Sequence, residues 1–107
     1  MSIEQVNVVD AIGVDKETGQ VFLTISDHLE WNDEHLLLLQ EKLNLYISFV
    51  ESGELLEVYP DSKGREVVIS VVCKYPPNVR GKDFLSKVGS VVEQVGARFA
   101  FQVSNLS

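Results

Sequence analysis

Short segments with an apolar residue at every second position alternate along the chain with two longer segments whose apolar residues recur every three to four positions. The first spacing is typical of a strand with one buried face, and the second is typical of an amphipathic helix. Their order along the chain is ββ-α-ββ-α-β. This order predicts an α+β fold, a two-layer sandwich with a mostly antiparallel sheet and two helices on one face, of which a ferredoxin-like arrangement is one variant.

The predicted strands cover residues 6–14, 20–26, 54–60, 65–75 and 97–103. The predicted helices cover residues 33–52 and 82–95. Val68 and Val72 stand on the opposite face from the other apolar residues of their strand, which predicts a central strand. In the last strand, Phe101 and Val103 are predicted to face the core.

The first predicted helix has clear ends and two apolar stripes. Asn32 is placed to cap its free amides, and Gly53 favours a stop. One stripe forms the predicted core face. The second stripe lies about 130° away around the helix axis and consists of Leu38, Leu45 and Phe49. This second stripe predicts a homodimer interface, unless a neighbouring helix or loop of the same chain covers it.

The length of 107 residues and the formal net charge of −7 limit the classes of function. The length fits one α+β domain over residues 1–107. The excess of acid argues against nucleic-acid binding, which needs cationic side chains. Residues 1–61 have a net charge of −11 and residues 62–107 a net charge of +4. This asymmetry predicts either pairing between the two parts or attraction of a basic protein partner.

Residues 27–35 form the densest polar cluster of the chain, with both histidines and several acids. Asp27, His28, Glu30 and His35 are therefore candidate metal ligands or acid–base groups. The spacing matches no established metal motif. Two histidines seven residues apart on one helix would also be separated by about 10 Å, too far for one metal ion to bridge. The alternative is a helix entry, in which the acids face the positive end of the helix.

Other motifs point to no cofactor, and no residue is assigned a catalytic role. Lys74, Arg80 and Lys82 surround the start of the second helix and are candidate anion-binding residues; the alternative is a solvated loop. The single cysteine, Cys73, is predicted to be a buried, inert thiol. No signal peptide and no membrane-spanning run is visible, which predicts a cytoplasmic protein with no membrane partner.

The most distinctive part of the sequence consists of four stretches: Leu23 to Trp31, His35-Leu36, Leu39 to Asn44 and Phe49 to Glu54. It resembles a family of small uncharacterised bacterial proteins, a domain family of unknown function. The resemblance extends to Asp10–Asp15 and to Tyr59-Pro60-Asp61. It implies a bacterial, cytoplasmic, single-domain protein and brings no activity, cofactor or catalytic residue.

Three hypotheses about function follow. The first is a non-enzymatic protein-interaction module that forms a homodimer through the second stripe of the helix. The second is a metal-dependent or acid–base enzyme that uses the 27–35 cluster. The third is an acidic inhibitor or immunity-type protein that neutralises a basic partner.

Overall fold

The structure is a computed structural model, and it describes residues 11–104. In chain order its elements are β1 (Ala11–Val14), β2 (Val21–Asp27), α1 (Asp33–Glu51), α2 (Glu54–Val58), a 3-10 helix (Pro60–Ser62), β3 (Val67–Cys73), α3 (Val79–Gln94) and β4 (Arg98–Val103). The α+β class is confirmed. Residues 6–10 of the predicted first strand lie outside the described residues.

The four strands form one mixed sheet in the order β1-β2-β3-β4. β1 and β2 are antiparallel, whereas β2 is parallel to β3 and β3 is parallel to β4. The prediction of a mostly antiparallel sheet is therefore wrong, and the ferredoxin-like variant is not found because sheet neighbours follow chain order. The reason lies in the connections: α1 and α3 each carry the chain back along the sheet, so the next strand runs parallel to the last.

Residues 54–60, predicted as a strand, are helical instead. Gly53 takes a left-handed conformation with φ of 85°, and this reverses the chain directly after α1. The amide of Glu54 then donates to the side-chain oxygen of Ser52, and α2 begins. Only Leu55 of this short helix is buried. The apolar residues of the segment therefore do not belong to a hairpin with β3, and β3 pairs with β2 and β4.

The core lies between the sheet and the two long helices, as the prediction of helices on one face requires. The strands contribute Leu23, Ile25, Ile69, Val71 and Cys73. The helices contribute Leu39, Leu43, Tyr46, Phe49, Leu85 and Val92. Since these strand residues share one face, α1 and α3 both pack on that face. The central position predicted for β3 is confirmed, and Val68 on its other face is also buried.

Both long helices begin after an asparagine cap, which the sequence analysis predicts for α1 only. The side chain of Asn32 accepts a hydrogen bond from the amide of His35, so α1 begins at the predicted residue. Asn78 caps α3 in the same way through Gly81, and α3 begins three residues before the predicted start. No helix in the described part of the chain combines the length and apolar character that crossing a membrane requires.

Candidate functional site

The polar cluster predicted from the sequence lies where the parallel strands end. Asp27 is the last residue of β2, and it stands beside Cys73, the last residue of β3. α1 begins a few residues later with its N-terminus at the same edge. The carboxyl edge of parallel strands is where open α/β sheets commonly bind ligands, so this edge is the first place to look for a site.

Asp27 and His35 form a buried pair at this edge. The Nε2 atom of His35 lies 2.5 Å from Oδ2 of Asp27, and only 1% of His35 is exposed. The other carboxylate oxygen, Oδ1, accepts a hydrogen bond of 3.2 Å from the amide of Leu29. A carboxylate carries no proton and only accepts, so Nε2 of His35 is the donor, and in the neutral imidazole Nδ1 carries the lone pair.

The Nδ1 atom of His35 is buried and has no hydrogen-bond partner among the described residues. A buried acceptor without a hydrogen-bond donor lowers the stability of the fold by about 1–3 kcal/mol, so its presence calls for an explanation. The imidazole ring is held firmly in place, since the ring of Trp31 lies 4.3 Å from it, centroid to centroid. The imidazole of His35 is therefore held by Asp27 through a hydrogen bond and by Trp31 through a ring contact.

Trp31 joins the two loops at the carboxyl edge. Its indole Nε1 donates to the carbonyl oxygen of Tyr75 at 2.9 Å, and its own carbonyl accepts from Asn78. Gly81, in the first turn of α3, leaves the space that the indole fills: a Cβ atom there would lie 2.7 Å from Cε3 of Trp31. The requirement for glycine at position 81 therefore comes from this close approach.

A pocket of about 400 Å³ opens beside the buried pair. Its lining includes Leu29, Glu30, Glu34, His35, Leu38 and Tyr75. Carboxylates and apolar side chains thus share one cavity next to an imidazole. A cavity of this volume holds a small ligand or one side chain of a partner.

The structure separates the four candidate metal ligands. Asp27 and His35 form the buried pair, whereas His28 and Glu30 are exposed residues that line the pocket. Within residues 11–104, no three His, Cys, Asp or Glu side chains are grouped in a way that could hold a metal ion. The geometry therefore gives the metal hypothesis no support. The helix-entry alternative is confirmed for Asn32, which caps α1, and for the acids of the first turn, whereas the buried pair of Asp27 and His35 goes beyond it.

The second stripe of α1 is largely covered within the chain. Phe49 is buried in the core, which agrees with the alternative that the same chain covers this stripe. Leu38 and Leu45 are half-buried. The helix is rotated relative to the predicted core face, so that Phe49 points inward together with Tyr46. A dimer through this stripe stays a prediction, with Leu45 as the best placed of its residues.

Two of the three candidate anion-binding residues already contact other side chains. Arg80 pairs with Asp33 of α1, and the ammonium of Lys74 lies 5.5 Å from the centre of the Tyr75 ring. Lys82 is exposed on α3. The Arg80–Asp33 pair joins the acidic first part of the chain to the basic second part. The arrangement gives the anion site no support.

Cys73 is buried beside Asp27, as its position in an apolar strand predicts. Burial, and after it the negative charge of Asp27, raises the pKa of the Cys73 thiol to about 12. A raised pKa disfavours the thiolate, which is the reactive form. The environment thus makes Cys73 a poor nucleophile.

We therefore expect Cys73 to resist thiol reagents in the folded protein. At mildly alkaline pH the thiolate fraction is about a thousandfold below that of an ordinary cysteine, because the pKa rises from 9.0 to about 12. Ellman's reagent should react with the native protein only on the timescale of unfolding and should react at once in guanidinium chloride. Rapid stoichiometric reaction of the native protein would contradict this description.

The last strand carries the largest difference between prediction and structure among the apolar residues. Phe101 and Val103 were expected to face the core, yet they are 43% and 37% exposed. They do point to the helix side of the sheet, since they pair with Val71 and Cys73. They are exposed where β4 forms the edge of the sheet, with a neighbouring strand on one side only within residues 11–104. Alternating apolar residues within a strand do not show whether that strand lies at an edge, so the sequence did not reveal this exposure.

Comparisons with known proteins identify a family without assigning an activity. No curated protein and no solved structure matches the chain. A model for a family of unknown function, DUF6572, matches residues 1–105. The expected membership of a family of unknown function is therefore confirmed, and the chain belongs to DUF6572.

Proposed function

We propose that this chain is a protein-interaction module that binds a second copy of itself along the free edge of β4. The observation that carries the proposal is the exposure of Phe101 and Val103 on this edge. Within residues 11–104, the outer side of β4 has no partner strand. An edge strand presents a row of unpaired backbone donors and acceptors, which is a template for pairing with another strand.

The backbone of β4 has the right orientation for this pairing. The amide of Ser104 donates to the carbonyl oxygen of Cys73 at 2.7 Å, so Ser104 points toward β3. Because backbone groups alternate in direction along a strand, those of Phe99, Phe101 and Val103 point outward to the free edge. The residues with exposed apolar side chains are thus also the residues with outward hydrogen-bonding groups.

The sequence of β4 lacks the features that usually protect an edge. The strand Arg98–Val103 contains no proline, no lysine and no acid. Its one charged residue, Arg98, donates through Nε to Glu66 at 2.8 Å and so is held at the start of the strand. Natural sheets use prolines and inward-pointing charges to prevent edge pairing, and β4 has none of them.

A second copy is the partner that this edge fits best. Antiparallel pairing about a twofold axis places Phe101 opposite Phe101 and each Phe99 opposite a Val103, with all six side chains on the helix side. The same pairing keeps the two Arg98 side chains at opposite ends of the interface. Apolar side chains therefore meet apolar side chains, and the like charges remain apart.

Light scattering after gel filtration tests the proposal. We expect a dimer for the unchanged protein and a monomer for Phe101→Lys, because two lysines would face each other across the axis. Val91→Lys is the matched control, since Val91 is 45% exposed but lies on α3. Leu45→Glu tests the predicted α1 interface, and this variant should remain a dimer.

Two outcomes would contradict the proposal: a strict monomer at high protein concentration, or a dimer that Leu45→Glu dissociates and Phe101→Lys does not.

The acid–base alternative has less support, because His35 is buried and both carboxylate oxygens of Asp27 are engaged. An edge that binds a second copy needs no catalytic group.

A further inference from the structure

We draw no further inference here: the strongest candidate, the apolar groove of about 260 Å³ that Leu43 of α1 and Phe84 of α3 line, carries no proposal, because nothing in the structure of residues 11–104 shows what covers it and Lys87, the charged residue of its lining, already pairs with Asp83.

Discussion

Replacing Asp27 by alanine is expected to lower the free energy of unfolding by about 3 kcal/mol, a large part of what a domain of this size has. The substitution leaves the Nε2 proton of His35 and the amide of Leu29 without their acceptor. Both groups are at the buried carboxyl edge, where an unsatisfied donor costs its full desolvation free energy. Asp27→Asn keeps one accepting oxygen, so its loss should be smaller.

Urea denaturation followed by circular dichroism measures this loss. Asp83→Ala is the matched control, because it removes an exposed aspartate whose pair with Lys87 is 3.0 Å long. An exposed pair at this helical spacing contributes about 0.3–0.5 kcal/mol, so the control should barely change the midpoint. If Asp27→Ala lowers the free energy of unfolding no more than Asp83→Ala does, the buried pair of Asp27 and His35 does not stabilise the carboxyl edge of the sheet.

Replacing Gly81 by alanine is expected to cost about 2 kcal/mol, the usual range for overpacking a filled space. The added methyl would lie 2.7 Å from Cε3 of Trp31 and 3.1 Å from Cβ of Pro77. Trp31 would have to move, and with it the ring contact to His35 and the hydrogen bond to Tyr75. Trp31 is the single tryptophan of the chain, so its fluorescence reports the movement directly.

Gly89→Ala is the natural comparison, since it makes the same change in the same helix. There the added Cβ would lie 3.7 Å from Phe99, an ordinary contact distance. Alanine also favours a helix interior over glycine by about 1 kcal/mol. Gly89→Ala should therefore stabilise the protein without a change in emission. Equal behaviour of the two variants would show that position 81 needs no special space.

The sequence predicts the local elements well, because their signals are local. Asn32 caps α1 as expected, and the apolar spacing of β2, β3, α3 and β4 places each of them to within a few residues. The strand prediction for residues 54–60 is wrong because their apolar residues are consistent with either a strand or a helix. The chain reversal at Gly53 decides in favour of the helix. The predicted direction of strand pairing is wrong because apolar spacing within a strand does not specify which strand pairs with it.

The candidate site is predictable only in part for a related reason. The polar residues of 27–35 are visible in the sequence, but the contact of Asp27 with His35 depends on the angle at which α1 leaves the sheet. Tyr75 and Gly81 contact Trp31 from distant parts of the chain, and no local sequence pattern predicts such contacts. The sequence does not predict the exposed apolar edge at Phe101, because alternation within a strand does not show whether that strand lies at the edge of a sheet.

Hydrogen exchange at β4, measured by NMR over a range of protein concentrations, tests the central proposal most directly. The amides of Phe99, Phe101 and Val103 point to the free edge and are open to solvent in a monomer. Self-pairing predicts that these amides become protected as the concentration rises, while those of Ala100 and Gln102, which face β3, stay protected throughout. The proposal is contradicted if the outward amides exchange rapidly at every concentration.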